Sequence, residues 1–446
     1  MIFDTIVAVA TPFGTGGISV LRVSGSEAIQ KVNSIFNGKD LSKVKSHTAH
    51  YGFILDSNSD VIDEVMVTVM KAPRTFTKED VVEISAHGGV LITNNVLTRV
   101  LSTGIRMAER GEFTERAFLN GRIDLIQAES INDLIHAKNN NAVKIAAKGI
   151  SKETSNQIIN LREEVLDLIA KIEVNIDYPE YDDAIIMTKD IVVPAISELV
   201  KKIDKILILS RKNMMIKEGI KTAIIGKPNV GKSSLLNALL DEDKAIVSDY
   251  AGTTRDTIEA TINLAGITLN LIDTAGIRET KDYIETLGIE RSIKAISEAE
   301  LILLVLDQNQ KLSKEDQELL DLTKNKKRII IKNKADLNDN IKLNEGIKIS
   351  SVNKTGLKEL ENQIIKILSL EDIENSNLDY LSNTRQIGKL EEAKIALGNA
   401  IENQGLPIDL LVIDITKAYT LLLEILGEEY QDNLLNELFS KFCLGK

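Results

Sequence analysis

The sequence predicts a multidomain protein of mixed α/β and α architecture, and three patterns of hydrophobic residues indicate this fold class. Residues 1–118 alternate short β-rich runs with two helical patterns, which predicts a small α+β domain. Residues 215–372 alternate apolar strands with helices, which predicts a mostly parallel sheet covered by helices. Residues 119–214 and 373–446 have long helical periodicity, so we expect one helical domain into which the α/β domain is inserted. Three or more sequential domains are the alternative.

The strands are expected where short apolar runs end at turn residues. In the first domain these runs occupy residues 5–10, 18–23, 65–70 and 81–85. In the α/β domain they occupy residues 220–225, 269–272, 301–306 and 328–331.

The helices of the helical domain are expected where apolar residues recur at helical spacing. The first part carries two such faces, formed by Leu161, Val165, Leu168, Ile169 and Ile172, and by Ile196, Leu199, Ile203, Ile206 and Leu207. The second part carries two more, formed by Leu390, Ala393, Leu397 and Ile401, and by Leu434, Leu435, Leu438, Phe439 and Phe442.

Composition restricts the class of function. A formal charge of −12 over 446 residues argues against a protein that coats nucleic acid non-specifically, since such binding needs many Lys and Arg side chains. A specific RNA contact stays open. No apolar run reaches the roughly 18 residues that span a bilayer, and the N-terminus lacks a secretion signal, so we expect a cytoplasmic protein.

Cysteine and histidine content excludes several kinds of site. Cys443 is the only cysteine, which rules out an internal disulfide and any multi-cysteine metal site. The histidines are scattered singly, which favours structural or surface roles over metal binding; they are His47, His50, His87 and His136.

A phosphate-binding motif follows the predicted strand at residues 220–225. Residues 226–233 read GKPNVGKS, which matches the pattern GxxxxGK[ST], and an amphipathic helix follows. Backbone N–H groups of such a loop bind phosphates at the helix N-terminus, Lys232 reaches the β and γ phosphates, and Ser233 can hold Mg²⁺. The nucleotide contacts expected here come from Asn229, Val230, Gly231, Lys232, Ser233 and Ser234.

Two further motifs follow predicted strands and indicate a guanine nucleotide. Residues 273–276 read DTAG, where Asp273 can hold Mg²⁺ through water and the Gly276 backbone can meet the γ-phosphate. Thr274 and Ala275 are further expected nucleotide contacts. Residues 333–336 read NKAD; the Asp336 carboxylate can accept two hydrogen bonds from guanine, and adenine lacks that donor pair. With Asn333 and Lys334, these motifs predict a P-loop GTPase domain of the Ras-like type.

Other polar residues complete the expected nucleotide site. Ser350 and Ser351 follow a short apolar run and could contact the base. Thr253 and Thr254 supply hydroxyls for a loop over the γ-phosphate, and Thr254 is the expected Mg²⁺ ligand; an ordinary turn is the alternative. Ile277 occupies the position at which Ras-like enzymes place a water-orienting glutamine, so water must be positioned by another group.

The chain resembles the MnmE family of tRNA modification GTPases, also called TrmE, over nearly its whole length. The motifs that carry the resemblance are DTIVA at residues 4–8, HGG at 87–89, GEFTERAFLN at 111–120 and FCLGK at 442–446. The resemblance implies an N-terminal folate-binding-like domain that also dimerises, a helical domain, and the inserted GTPase domain.

The resemblance also implies the residues of a folate site. Arg22, Glu83, Arg122 and Lys446 would contact 5-formyltetrahydrofolate or a related one-carbon tetrahydrofolate. Lys78 stands where the family has a glycine, in TKED at residues 77–80.

A bound potassium ion is a further implication of the resemblance. Asn229 would bind K⁺ together with Ser248, Tyr250 and Thr253, and the ion would neutralise developing charge as an arginine finger does elsewhere. Glu285 would orient the catalytic water and act with Lys232 and Thr254. Without the resemblance, Asp282, Glu285 and Glu290 would each be interpreted as a solvated charge on a helix. Arg255 and Arg278 are the less favoured arginine-finger candidates.

The function implied is GTP hydrolysis coupled to the addition of a carboxymethylaminomethyl or aminomethyl group at C5 of the wobble uridine of certain tRNAs. The implied partners are a second copy of the chain, tRNA, and a flavin-containing protein of the MnmG (GidA) family.

Cys443 is open to two interpretations, a nucleophilic thiol or a small buried side chain beside Phe442. Two alternatives for the whole chain are a regulatory GTPase of ribosome assembly and a folate enzyme with a regulatory GTPase domain.

Overall fold

The structure is a computed structural model that describes residues 4–177, 189–240, 258–264, 266–272, 293–368, 370, 378–430, 432–443 and 445. The chain divides into two compact units. Unit 1 comprises Met1–Ile135, Ile150–Ser197 and Ile395–Lys446, and unit 2 comprises His136–Gly149 and Glu198–Lys394. The domain boundaries suggested by the sequence stay a prediction. Across the described part of the chain, no helix combines the length and the hydropathy needed to cross a bilayer.

Thirteen helices have both ends in the described residues. They are α1 Ala28–Asn33, α2 Val90–Leu101, α3 Glu112–Leu119, α4 Leu125–Ile135, α5 Asn140–Ile150, α6 Glu153–Asp177, α7 Lys189–Glu218, α8 Lys232–Leu240, α9 Lys314–Leu322, α10 Leu357–Ile367, α11 Thr384–Glu402, α12 Ile408–Leu426 and α13 Asp432–Ser440.

Unit 1 contains a seven-stranded sheet. Its strands are β1 Ile6–Val9, β2 Ile18–Ser24, β3 Phe36–Gly38, β4 Thr48–Leu55, β5 Val61–Met70, β6 Val81–His87 and β7 Arg106–Met107. Their order is β3-β4-β5-β6-β2-β1-β7, and neighbours are antiparallel except for the parallel pair β1–β7. The predicted α+β class of this region is confirmed.

Alternation along β5 determines which face of this sheet is buried. Val65, Val67 and Val69 are buried, whereas Glu64 and Met66, at the alternate positions, are exposed. Val96 of α2 and Ala28 of α1 belong to the same core cluster as the buried valines. Helices α1 and α2 therefore cover one face of the sheet.

The helices of unit 1 bury the apolar faces that the sequence predicts. Along α6, Leu161, Val165, Leu168, Ile169 and Ile172 are all buried, and α6 packs along α12. A second cluster joins Phe118 at the end of α3 with Leu435 and Phe439 of α13 and with Phe442. The C-terminal segment is thereby packed onto the region after the sheet.

Unit 2 contains a six-stranded, mostly parallel sheet, as predicted. Its strands are β8 Ile220–Ile225, β9 Ile258–Leu264, β10 Ile267–Ile272, β11 Leu301–Asp307, β12 Arg328–Asn333 and β13 Ile347–Ile349. The order is β13-β12-β11-β8-β10-β9, and only the edge strand β9 is antiparallel to its neighbour. Because parallel strands end at one edge, the segments after β8, β11, β12 and β13 lie at the same edge of the sheet.

Both faces of this second sheet are buried. Ile224 of β8 packs in one core cluster with Leu235 of α8 and Leu360 of α10. Ala223 and Ile225 pack in the cluster on the opposite face. Accordingly, β10 and β11 are buried at every position, as expected for a sheet covered on both sides.

Candidate nucleotide-binding site and N-terminal cluster

The loop between β8 and α8 has the backbone shape of a phosphate-binding loop. Gly226 and Gly231 have φ of +155° and +95°, and Asn229 has φ of +62°. A Cβ on Gly226 would lie 2.3 Å from the Val305 carbonyl oxygen, and one on Gly231 would lie 2.2 Å from Asn333 Nδ2. Glycine is required at both positions because backbone conformation and space each exclude a side chain.

Lys232 is held inside this loop. Its Nζ donates hydrogen bonds to the carbonyl oxygens of Gly226 (2.7 Å) and Lys227 (2.9 Å). Burial lowers the pKa of the Lys232 ammonium because a charged group is less stable away from water. An anionic phosphate would offset this effect and favour the charged form. Ser233 and Ser234 follow on the first turn of α8 and are exposed.

The buried side chain of Asn333 connects three of the predicted motifs. Asn333 is 2% exposed, and its Nδ2 donates to the carbonyl oxygens of Val230 (2.9 Å) and Gly231 (3.4 Å). Its Oδ1 accepts from the Ser351 N–H (3.2 Å) and the Ser351 Oγ (2.8 Å). The phosphate-binding loop, the NKAD motif and the serine pair therefore meet around one amide.

Lys334 and Asp336 extend this arrangement toward solvent. Lys334 has φ of +63°, and its Nζ lies 2.7 Å from Asp307 Oδ2 at the end of β11. The Ser350 hydroxyl donates to Asp336 Oδ1, and this hydrogen bond is the main cause that holds the pKa of Asp336 below its ordinary value. Asp336 therefore presents an exposed, ionised carboxylate at the edge where the parallel strands end.

The rest of the predicted nucleotide and metal site falls outside the described residues. This set comprises Ser248, Tyr250, Thr253, Thr254, Asp273, Thr274, Ala275, Gly276 and Glu285, with Arg255, Ile277, Arg278, Asp282 and Glu290. Lys446 of the predicted folate site also lies outside the described residues.

Arg22 and Glu83 form an ion pair on the face of the first sheet that α1 and α2 leave uncovered. They occupy paired positions on β2 and β6, and Arg22 Nε donates to Glu83 Oε1 at 2.9 Å. Arg22 also donates to the Gly445 carbonyl oxygen at 3.3 Å. Two of the predicted folate residues are thus adjacent to each other and to the C-terminal segment.

Arg122 lies beside an aromatic ring, and Lys78 lies beside the turn that precedes Arg122. The Arg122 guanidinium carbon is 4.9 Å from the centroid of the Phe76 ring, a cation–π distance. Lys78 has φ of +59°, and its Nζ donates to the carbonyl oxygens of Asn120 (2.9 Å) and Gly121 (3.0 Å). The lysine therefore adopts the left-handed conformation that glycine favours.

A buried arginine that sequence reasoning did not identify organises the same region. Arg116 is 2% exposed and contacts the carboxylates of Asp4 (2.9 Å), Glu79 (3.2 Å) and Glu112 (2.8 Å). Glu79 also accepts a hydrogen bond from Ser24 Oγ at 2.6 Å. Arg116 lies within the motif GEFTERAFLN at residues 111–120, in which no residue was predicted to have a role, and its run of charged residues is also typical of a solvated helix.

The structure corrects one interpretation of Cys443. Phe442 is buried, but Cys443 is exposed, so the expectation of a small buried side chain is wrong. The Cys443 carbonyl oxygen accepts a hydrogen bond from the Gly111 N–H at 3.4 Å. The segment is held by this backbone contact and by the buried Phe442, and the Cys443 side chain faces the surface.

Comparison with known proteins identifies the family. A family model described as the MnmE helical domain matches residues 125–443, and one described as the GTP-binding protein TrmE N-terminus matches residues 5–122. The tRNA modification GTPase MnmE of Acholeplasma laidlawii (strain PG-8A) is 59% identical over 448 residues, with 100% of both chains covered. The chain belongs to the MnmE family of tRNA modification GTPases.

A second MnmE relative, from Aster yellows witches'-broom phytoplasma (strain AYWB), is 53% identical over 460 residues with 100% of both chains covered. Among solved structures, the G domain of the T. maritima FeoB iron transporter is 27% identical and covers 33% of this chain and 98% of its own, with a TM-score of 0.24. As an MnmE family member, the chain is a GTPase of tRNA modification. The family assignment decides against the ribosome-assembly alternative.

Proposed function

We propose that GTP is bound and hydrolysed at the edge of the second sheet, between the phosphate-binding loop and Asp336. The observation that carries this proposal is the amide of Asn333, which ties Val230 of the loop to Ser351 beside the base-binding motif. Lys232 would contact the β and γ phosphates, Asp336 would accept from guanine, and Lys334, Ser350 and Ser351 would line the base. Hydrolysis of GTP but not ATP by the purified chain tests the proposal, and equal rates would overturn it.

The hydroxyl chemistry of the loop fits Mg²⁺. Ser233 is exposed on the first turn of α8, beside Lys232, and hydroxyl oxygens are ligands that Mg²⁺ accepts. Thr254 would be the second protein ligand, and Asp273 would hold the ion through water. Bound Mg²⁺ would neutralise charge on the β and γ phosphates.

We infer that K⁺ binds at Asn229. This residue is exposed at the tip of the loop with φ of +62°, and its amide oxygen is a hard donor that suits an alkali cation. Ser248, Tyr250 and Thr253 would complete the site, and Glu285 would orient the attacking water. The approach of two GTPase domains within a dimer would activate hydrolysis. Equal hydrolysis rates in KCl and NaCl at matched ionic strength would refute potassium dependence.

The face of the first sheet that carries Arg22 and Glu83 fits a ligand with a charged and a planar part. Glu83 can accept from pterin N–H groups, Arg22 can bind a carboxylate, and the Arg122–Phe76 pair offers a flat surface. We propose that residues 1–118, with Arg122 and Lys446, bind 5-formyltetrahydrofolate or a related one-carbon tetrahydrofolate in a homodimer. Such a folate would supply the one-carbon unit. Isothermal titration with 5-formyltetrahydrofolate tests this, and unchanged affinity in Glu83→Ala would exclude the site.

The tRNA product proposed is a wobble uridine with a carboxymethylaminomethyl or aminomethyl group at C5. The acidic charge of −12 favours a division of labour in which a flavin-containing partner of the MnmG (GidA) family supplies much of the RNA-binding surface. The complex would act in the cytoplasm. Mass spectrometry of tRNA nucleosides after deletion of the gene tests the proposal, because unchanged C5-modified wobble uridine would refute it.

A further inference from the structure

The second residue of the phosphate-binding loop is held by an ion pair to a different element. Lys227 Nζ lies 2.9 Å from Asp316 Oδ2, near the start of α9. Only 14% of the Lys227 side chain and 4% of the Asp316 side chain are exposed. The pair is therefore largely removed from water, where an ion pair is less screened than at the surface.

Asp316 is fixed in place by its own helix. Its Oδ2 accepts from the Ser313 N–H (2.9 Å) and the Ser313 Oγ (2.8 Å), and Ser313 Oγ accepts from the Asp316 N–H (3.2 Å). This reciprocal arrangement is a capping box. Burial raises the pKa of Asp316, but the hydrogen bonds from Ser313 and Lys227 outweigh it, so the net pKa is below the ordinary value and the carboxylate is ionised.

Lys227 connects the ion pair with Asp316 to Lys232. The carbonyl oxygen of Lys227 accepts from Lys232 Nζ at 2.9 Å, while its side chain is held by Asp316. The loop between the two lysines contains two residues with positive φ, Asn229 and Gly231. A backbone of this kind persists only when surrounding contacts hold it in place.

We propose that Lys227 and Asp316 are positioning residues that hold the phosphate-binding loop in its nucleotide-binding shape and so set the affinity for GTP. The inference rests on the assignment of residues 226–233 as the phosphate-binding loop. Neither side chain needs to contact the reacting atoms. Because a preformed loop favours the bound substrate and the transition state alike, loss of the ion pair should raise KM and leave kcat nearly unchanged.

The test compares Lys227→Met, Asp316→Asn and the double variant of the full chain, by GTP hydrolysis and by the Kd of a fluorescent GDP analogue. We expect each single variant to raise KM and Kd about tenfold with kcat within about twofold. The double variant should be no worse than the poorer single variant, because the interaction is already lost. Lys227→Arg should restore KM to within about threefold, since the guanidinium keeps the charge.

Three controls separate positioning from other effects. Ser313→Ala removes a cap hydroxyl that helps to fix Asp316 but keeps the ion pair, so Tm should fall while Kd rises less than in Asp316→Asn. Lys314→Met removes an exposed lysine of the same helix and should change neither Tm nor Kd. Unchanged KM in Lys227→Met, or additive losses in the double variant, would overturn the proposal. Lys232→Ala tests the loop assignment, because normal GTP binding in that variant would refute the assignment itself.

Discussion

Asn333 accepts two hydrogen bonds from Ser351, one from the N–H at 3.2 Å and one from Oγ at 2.8 Å. The amide nitrogen of Asn333 donates to the Val230 carbonyl oxygen at 2.9 Å. One buried side chain therefore fixes the spacing between the phosphate-binding loop and the base-binding motif. Since the amide is satisfied at both ends, it fixes that spacing without an unpaired buried group.

Replacement of Asn333 by alanine should weaken both folding and nucleotide binding. The change leaves the Val230 carbonyl oxygen and the Ser351 hydroxyl without this partner. Each buried group that loses its hydrogen bond lowers the free energy of unfolding by about 1–3 kcal/mol. We expect Tm to fall by several degrees and the Kd for GDP to rise about tenfold. Calorimetry and fluorescence titration measure the two effects. Asn340→Ala, which removes an exposed amide, is the matched control, and equal effects of the two changes would contradict the role given to Asn333.

Asp336→Asn should change the base that is recognised. The Asp336 carboxylate would accept from both donors of guanine, whereas an amide can donate to the oxygen that xanthine carries in place of the guanine amine. We expect the affinity for GTP to fall at least about 100-fold and that for XTP to rise. Competition binding measures both. Equal loss of GTP and XTP binding would show that Asp336 acts on the structure of the site instead.

His87 should titrate above the ordinary histidine range. Its Nδ1 lies 2.7 Å from Asp63 Oδ1, and this hydrogen bond is the main cause that raises the pKa of His87 above 6.5. The pair therefore contributes stability that is fully present below pH 6.5 and is lost as the pH rises through the folded-state pKa. An NMR titration of the imidazole measures that value. In Asp63→Asn the pKa should return toward 6.5, and the same raised value there would refute the pairing.

Gly111→Ala should loosen the packing of α13 on α3. Gly111 has φ of +71°, and an added Cβ would lie 2.5 Å from the Phe439 carbonyl oxygen. The left-handed conformation alone costs roughly 1–2 kcal/mol for a residue with a Cβ, so Tm should fall. Gly398→Ala in α11 is the control: an added Cβ there meets no atom within 4 Å, and alanine favours a helix by about 0.5–1 kcal/mol. A similar change in Tm for both variants would contradict the packing argument.

The sequence predicted those parts of the fold and site that leave a local pattern. The motifs around Lys232 and Asn333 were recognisable because each follows a buried strand, and strands of a parallel sheet end at one edge. The ion pair of Lys227 with Asp316 joins residues 89 positions apart, and the contact of Arg22 with Gly445 joins residues 423 positions apart. Such contacts depend on tertiary packing and leave no periodic signal.

The content of C5-modified wobble uridine in tRNA, in cells whose only copy of the protein carries Lys232→Ala, tests the central claim most directly. Lys232 is the loop residue whose ammonium should contact the phosphates, so this variant should retain the proposed folate site and lose GTP hydrolysis. We expect the modified nucleosides to disappear, as in a deletion strain, while the wild-type gene restores them. Full modification in cells that carry a folded Lys232→Ala protein without GTPase activity would contradict the coupling of GTP hydrolysis to tRNA modification.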